Sequence, residues 1–156
     1  MQIELDNTDL QILELMQSNA RISNADMARQ LDLAPSAVLE RVKKLEQKNI
    51  IKGYSAQINP SALHQKLLAF IFIRSSEGFT SSSKTAQMLA KIPEVQEVHH
   101  IAGEDCFLVK IRTEDATTLM DLMRKSFQKI PNIASTKTTI VLETVKEQQQ
   151  LVIPKS

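Results

Sequence analysis

Residues 23–45 have the sequence SNADMARQLDLAPSAVLERVKKL, which is typical of two short helices joined by a tight turn. Ser23 is a good N-cap for the first helix, and Asp26 lies three residues on, as in a capping box. Pro35 suits the first turn of the second helix because no backbone N–H is missed there. Apolar residues at helical spacing would bury one face of each helix: Met27, Ala28, Leu31, Val38, Val42 and Leu45. The stretch therefore predicts a helix–turn–helix.

The other face of the second helix carries small and basic residues. Small side chains permit close backbone approach to DNA, and basic groups suit phosphates and base edges. We predict base-edge contacts by Ser36, Ala37, Glu40 and Arg41, and phosphate contacts by Lys43, Lys44 and Lys52. The alternative is an ordinary helical hairpin with a solvated charged face, in which Arg41 has a structural role beside Asp or Glu partners.

The segment after the second helix predicts a small β-wing. Asn49 lies where the helix should stop, and Asn tolerates the left-handed conformation that such a stop needs. Residues 50–58 then indicate two short strands broken at Gly53. A helix–turn–helix followed by a wing and a second domain is typical of transcription factors.

The charge of the chain limits how it can bind DNA. The net charge is only +1, and residues 1–60 contain seven Lys or Arg against eight Asp or Glu. Positive charge is concentrated locally, at Arg41, Lys43, Lys44, Lys48 and Lys52. Because DNA affinity grows with the number of phosphate contacts, a single protomer should bind weakly. Useful affinity therefore requires two or more protomers on one DNA.

Length and composition indicate a compact intracellular protein. A chain of 156 residues with 42% hydrophobic residues can form one domain or two small ones. No apolar run reaches the ~18 residues of a membrane span, and the N-terminal residues lack the basic start and apolar core of a signal peptide. The single cysteine excludes an internal disulfide, which fits a reducing compartment. We expect a cytoplasmic protein.

The second half of the chain alternates between strand and helix patterns. Residues 67–75 form a short apolar run rich in β-formers, and Gly78 with the serines at 81–83 indicates a loop entering a helix. The predicted strands are 67–75, 95–102, 106–113 and 133–145, with helices running through Ala86 to Lys91 and from Leu119 to Ile130. The order strand, helix, strand, strand, helix, strand predicts a ferredoxin-like βαββαβ domain.

An internal repeat supports this order. Residues 91–95 (KIPEV) recur as residues 129–133 (KIPNI), and each copy lies where a helix ends and a strand begins. Proline there stops the helix and favours an extended residue before it. Four strands covered by two helices leave one sheet face open, and that face must be buried against a partner. We therefore expect a dimer that forms through the strands of this sheet, with C₂ symmetry.

Several short motifs recur in a known order and spacing along nearly the whole chain: Leu5-Asp6, Asp9, Ile12-Leu13, Leu15, Ala28, Val38 to Glu46, Ile51, Gly53-Tyr54 and Gly103. Together they resemble the Lrp/AsnC family, the feast/famine regulators of bacteria and archaea. The resemblance implies an α+β chain with an N-terminal winged helix–turn–helix at residues 1–60 and a C-terminal ferredoxin-like effector domain at residues 61–156. It also implies dimers that often assemble into octamers and an amino-acid effector bound between protomers.

The chain departs from the family pattern at a few positions. Ala34 stands where Ser usually precedes the recognition helix, which forgoes an N-cap hydrogen bond worth about 1 kcal/mol. Glycine is common at the position of Asn49 and near His64, and Glu40 is negative where basic or neutral residues are frequent. The effector turn has the sequence Gly103-Glu104-Asp105-Cys106-Phe107, with its acids shifted from the usual Gly-acid-aromatic-Asp-aromatic order.

The turn around Gly103 is the predicted effector site. Glycine permits close backbone approach, turn N–H groups can hold a carboxylate, and Glu104 and Asp105 offer acceptors for an ammonium group. In keeping with the resemblance, we expect an amino acid such as leucine or methionine. The predicted set is His100, Ala102, Gly103, Glu104 and Asp105, joined from a neighbouring protomer by Thr136, Thr138 and Thr139. The alternative is a solvated β-turn in which these residues only favour tight reversal.

The sequence contains no evident pattern of catalytic, metal or cofactor chemistry. Cys106 follows two acids, which favours packing over redox sensing. His99 and His100 are adjacent on a strand and point to opposite faces, so the pair cannot chelate one metal. We predict an effector-responsive regulator of transcription that binds double-stranded DNA, is not an enzyme and uses no cofactor. The alternative is a small-molecule-binding or enzymatic α/β domain whose N-terminal helices only mediate assembly.

Overall fold

The computed structural model describes residues 4–77 and 83–154. Contacts divide these residues into two units, one of residues 4–57 with 147–154 and one of residues 58–146. The sequence predicted a boundary at residue 60 and gave the whole C-terminal segment to the second domain. Gly78 and the first two serines of the 81–83 cluster lie outside the described residues.

The N-terminal unit contains three helices: α1 (Asn7–Ser18), α2 (Asn24–Leu31) and α3 (Pro35–Gln47). Asp6 caps α1 in a reciprocal capping box with Asp9. Ser23 caps α2 by accepting a hydrogen bond from the Asp26 N–H, as the sequence predicted. The buried core of the unit is Ile12, Met27, Ala28, Val38, Val42 and Leu45. The apolar stripes of α2 and α3 therefore face this core as expected.

The turn between α2 and α3 depends on a left-handed residue. Asp32 has φ of 53°, and the next N–H, of Leu33, bonds to the Ala28 carbonyl at 2.9 Å. Ala34 then occupies the N-cap of α3 without a side-chain hydrogen bond, and Pro35 is the first helical residue. The helix–turn–helix prediction is confirmed down to the position of its proline.

The two short strands predicted between Ile50 and Ile58 are wrong. Asn49 has φ of 56°, so the helix stops where the sequence indicated. The N–H groups of Ile50 and Ile51 then both bond to the Leu45 carbonyl, at 2.9 and 3.2 Å, and their side chains pack on the helical core. Residues 52–59 are exposed and form no strand. Once both isoleucines close the core, too few apolar residues remain for a hairpin, which is marginal in water by itself.

The C-terminal end of the described chain joins the N-terminal unit. The Gln17 side chain on α1 donates to the Leu151 carbonyl at 2.6 Å and accepts from the Leu151 N–H at 2.8 Å. The Gln150 side chain donates to the Gln17 carbonyl at 3.2 Å. These three hydrogen bonds link segments that are more than 130 residues apart in sequence.

The second unit is a four-stranded sheet with two helices. Its elements are β1 (Leu67–Ser75), α4 (Lys84–Leu89), β2 (Val95–His100), β3 (Phe107–Thr113), α5 (Ala116–Lys125) and β4 (Ile133–Ile140). The strand order is β2-β3-β1-β4, and every pair is antiparallel. This topology confirms the ferredoxin-like prediction. The last strand ends at Ile140, earlier than the predicted Val145, because residues 142–150 leave the sheet and are exposed.

The two sheet faces differ in what covers them. Paired residues on neighbouring strands have their side chains on the same face of the sheet. The register therefore shows on which face each side chain lies. One face carries Ile71, Ile73, Phe107 and Val109, which pack with helix residues such as Leu89 and Leu119 in the core. The opposite face carries half-buried Phe70, Phe72 and Leu108. We call this second face, with its flanking Glu97, Lys110 and Lys137, the open sheet face.

None of the helices in the described residues is both long and apolar enough to cross a membrane.

Candidate nucleic-acid interface and effector turn

One face of α3 points away from the core of the N-terminal unit. Ser36, Leu39, Glu40 and Lys43 recur at three- and four-residue spacing along this face, and all four are exposed. Ala37 is half-buried instead. We call Ser36, Leu39, Glu40 and Lys43 the outer face of α3.

Arg41 does not belong to the outer face. Its Nη1 lies 2.7 Å from an oxygen of Asp6 and 2.8 Å from an oxygen of Asp9. The hydrogen bonds that Arg41 donates to these two carboxylates raise its pKa. The pKa of Asp6 is lowered, chiefly by the backbone N–H of Asp9 and then by Arg41. The guanidinium therefore links α3 to the first turn of α1, which matches the structural alternative rather than the predicted base contact.

The predicted lysines have different surroundings. Lys44 Nζ lies 2.7 Å from a Glu40 oxygen on the next turn of α3. This hydrogen bond is the main cause of the lowered pKa of Glu40, so the carboxylate is ionised beside the lysine at neutral pH. Lys43 and Lys52 are exposed, and within the described residues neither forms an ion pair. Lys43 and Lys52 thus present full positive charges to solvent.

The predicted effector turn connects β2 and β3. Its ends are closed by the Ile101 N–H, which bonds to the Cys106 carbonyl at 2.9 Å, and by the Cys106 N–H, which bonds to the Ile73 carbonyl at 2.8 Å. Gly103 has φ of +147°, a conformation that favours glycine. Glu104 is 93% exposed and lies 3.8 Å from Arg74. The base of the turn is therefore hydrogen-bonded to β1, and at its tip Glu104 faces Arg74 in a solvent-exposed ion pair.

The remaining residues of the turn differ in exposure. Asp105 is half-buried, whereas Ala102 is exposed. The His100 ring stacks near the Phe107 ring, with 4.8 Å between centroids. His100 thus packs against the base of the turn rather than standing free above it.

The three predicted threonines do not line one surface. Thr136 pairs with Ile73 and Thr138 pairs with Ile71, so both point to the helix-covered side of the sheet. Thr139 pairs with Phe70 and points to the open sheet face. Strand β1 also separates β4 from the strand that leaves the turn, a distance of roughly 10 Å across two strand spacings. Within one protomer the threonines are therefore apart from the turn.

Sequence models of two protein families match the chain. The winged helix–turn–helix DNA-binding model matches residues 5–52, and the Lrp/AsnC ligand binding domain model matches residues 68–151. The leucine-responsive regulatory protein of Klebsiella pneumoniae is 34% identical over 154 residues, which cover 96% of this chain and 92% of that protein. The chain belongs to the Lrp/AsnC family.

Solved structures of similar regulators have the same fold. The feast or famine regulatory protein from M. tuberculosis, complexed with L-methionine, is 30% identical with a TM-score of 0.88 and covers 97% of this chain and 100% of its own. A transcriptional regulator from Neisseria meningitidis, in complex with L-Met, is 25% identical with a TM-score of 0.85 over 96% of this chain and 97% of its own. This Lrp/AsnC chain is accordingly a transcription regulator with a helix–turn–helix DNA-binding domain.

Sequence reasoning missed two features of this Lrp/AsnC chain. Leu39 was overlooked on the outer face, although it follows Ser36 by three residues and precedes Lys43 by four. Glu77 was overlooked beside β4, where it accepts hydrogen bonds from Ser83 at 2.7 Å and from the Asn132 side chain at 2.9 Å. No local pattern marks Glu77, because Asn132 lies 55 residues further along the chain.

Cys106 and the histidine pair are engaged in local contacts. The Cys106 sulfur accepts a hydrogen bond from the Ser75 N–H at 3.4 Å, as expected of a packing residue. His99 bonds to Glu97 on the open sheet face, whereas His100 stacks on Phe107. No group of three or more His, Cys, Asp or Glu in residues 4–77 and 83–154 could hold a metal ion.

Proposed function

We propose that this regulator binds operator DNA as an oligomer through α3, and that an amino acid of the leucine or methionine type alters its assembly or its operator binding. The proposed DNA binding rests on the outer face of α3. This face is exposed, with a small side chain at Ser36 and a positive charge at Lys43. A recognition helix places its N-terminal residues on base edges and its later residues near phosphates. The proposal assigns this regulator to the cytoplasm and gives it no catalytic step.

The proposed DNA contacts follow from exposure. Ser36 and Glu40 are assigned to base edges, with Ala37 allowing close approach of the helix backbone. Lys43 and Lys52 are assigned to phosphates, and Lys44 joins them when Glu40 releases it. Arg41 is assigned to the α1–α3 link instead.

A gel-shift titration on the DNA upstream of its own gene tests the contacts. Lys43→Ala should weaken binding, whereas Lys66→Ala, which removes an exposed lysine of the second unit, should not. Equal affinities for the wild type and Lys43→Ala, in folded protein, would contradict the assignment of α3.

Assembly is proposed through the open sheet face. Phe70, Phe72 and Leu108 are only half-buried there, and Lys137 Nζ lies 4.8 Å from the centroid of the Phe72 ring. Apolar residues ringed by charges are typical of an interface between subunits. A second copy related by C₂ symmetry would cover the face, and further association of dimers would give a ring of eight.

Light scattering tests the assembly. At micromolar concentration the wild type should have the molar mass of a dimer or of a multiple of dimers. Phe72→Glu should shift the molar mass toward that of the monomer. A monomeric wild type at that concentration would overturn both the interface and the cooperative DNA binding that depends on it.

The effector is proposed to bind at the Gly103 turn. The backbone N–H groups of its exposed residues 102–104 can hold a carboxylate, and Glu104 with Asp105 can accept from an ammonium group. The two L-methionine complexes of related regulators support this ligand class. A neighbouring protomer would add Thr136 and Thr138, which share a side of the sheet, but not Thr139.

Calorimetry of the assembled protein against each of the twenty amino acids tests the effector. A response to leucine or methionine is expected, and Asp105→Ala should abolish it while DNA binding stays intact. Coupling between the two sites is reciprocal. Bound DNA should therefore change the affinity for the effector by the same factor by which the effector changes the affinity for DNA. No heat and no change in oligomer size with any amino acid would remove the effector while leaving the DNA proposal standing.

A further inference from the structure

We propose that Leu39 recognises thymine in the operator by contacting its 5-methyl group. This inference rests on the proposed binding of DNA through the outer face of α3. It adds a large apolar side chain to a surface for which the sequence predicted only small, polar and charged contacts.

The first observation is the exposure of Leu39. Its side chain is 40% exposed, whereas the preceding residue, Val38, is fully buried. Leu39 is absent from the buried core of the unit and from the partly buried residues that pack against it. About two-fifths of its surface therefore stays in water after folding, and contact with a partner would remove that apolar surface from water.

The second observation is the position of Leu39 within the outer face. A single exposed leucine is common on protein surfaces and by itself means nothing. Leu39, however, lies in the second turn of α3, one helical turn beyond Ser36 and one before Lys43. That part of a recognition helix is the part that reaches the base edges. Its neighbours there are polar or charged, so Leu39 is the apolar element of the surface.

The chemistry of the major groove then selects the partner. Each base pair presents hydrogen-bonding groups there, but only thymine among the unmodified bases presents a methyl group. A leucine side chain neither donates nor accepts hydrogen bonds, so it leaves the polar edges of the other bases without a partner. Thymine is the base that Leu39 can contact without such a loss.

The test compares thymine with uracil, which differs only in lacking the methyl group. A duplex is first enriched from a random pool with the full-length wild-type oligomer. Each thymine of one half-site is then replaced by deoxyuridine in turn, and affinities are measured for the wild type and Leu39→Ala. The wild type should lose about fourfold at the contacted thymine, the amount expected for one buried methyl group.

The variant should respond differently at that position. Leu39→Ala should bind the thymine duplex about as weakly as the wild type binds the uracil duplex, and should no longer distinguish the two. Leu39→Met, which keeps a long apolar side chain, should retain most of the discrimination. Alanine suits an exposed helical position, and unchanged circular dichroism and oligomer size would confirm that the variant is folded.

The possible outcomes distinguish a failure of the Leu39 inference from a failure of the proposed DNA binding. A wild type that enriches no duplex would overturn the DNA-binding proposal, and Leu39 with it. A wild type that enriches a duplex, but for which Leu39→Ala keeps the full thymine preference, would overturn the role of Leu39 alone. A change of oligomer size in Leu39→Ala would also overturn it, because Leu39 would then pack between copies of the chain.

Discussion

The empty N-cap of α3 gives a quantitative prediction. Ala34 has φ −71° and ψ 140°, and its side chain makes no capping bond. Ser23 caps α2 from nearly the same conformation, φ −78° and ψ 154°, with its hydroxyl 3.0 Å from the Asp26 nitrogen. A serine at position 34 can therefore accept from the Ala37 N–H, which otherwise bonds to the Ala34 carbonyl at 3.0 Å. Ala34→Ser should stabilise α3 by about 1 kcal/mol.

Hydrogen exchange of α3 peptides measures this effect where it acts, because a chain of two units need not unfold in one step. A gain of about 1 kcal/mol slows exchange of amides that open with the helix about fivefold. Ser23→Ala is the matched control, and it should speed exchange in α2 by a similar factor. Unchanged α3 exchange in Ala34→Ser, beside faster α2 exchange in Ser23→Ala, would refute the reasoning that the N-cap is unfilled.

Three further predictions concern charges of the N-terminal unit. Arg41→Ala should lower the free energy of unfolding by about 0.5–1 kcal/mol in urea titrations, since Asp9, only 18% exposed, loses its guanidinium partner; Lys43→Ala should leave the urea midpoint unchanged. Because the pKa of Asp6 lies below its ordinary 3.8 in the folded state, stability should fall as the pH drops below about 3.8. Asp6→Asn should show a smaller loss over that interval by circular dichroism, and an equal loss would contradict the assignment. Glu40→Gln frees Lys44 for a phosphate, so the slope of log affinity against log salt should steepen by about 0.9 per protomer; an unchanged slope would show that Lys44 makes no such contact.

Local sequence signals predicted the elements that local interactions determine. Ser23 and Pro35 mark helix starts through hydrogen bonds and backbone angles within one turn. The repeated lysine-isoleucine-proline motif marks two helix-to-strand junctions for the same reason. The ferredoxin-like topology could be predicted because few arrangements accommodate this order of strands and helices along the chain.

The features that the sequence did not predict depend on contacts between residues that are distant in the chain. Arg41 finds its carboxylates 32 and 35 residues earlier in the chain, so no window around α3 reveals them. The two strands predicted in residues 50–58 were wrong because Ile50 and Ile51 pack on the helices instead of entering a hairpin. Thr139 lies on the opposite sheet face from Thr136 and Thr138. The register of β4 against β1 determines the face of each side chain, and composition does not reveal that register.

The hydrogen bonds between Gln17 and residues 150–151 have a consequence for the order of folding during synthesis. Residues 58–146 are contiguous, so the sheet can form as soon as they leave the ribosome. The last hydrogen bonds of the helical unit wait for a segment made about 100 residues after its third helix, a delay on the order of 10 s during synthesis. The three helices are therefore made, and can pack on their own core within residues 12–45, well before Gln17 gains the hydrogen bonds that residues 150 and 151 supply.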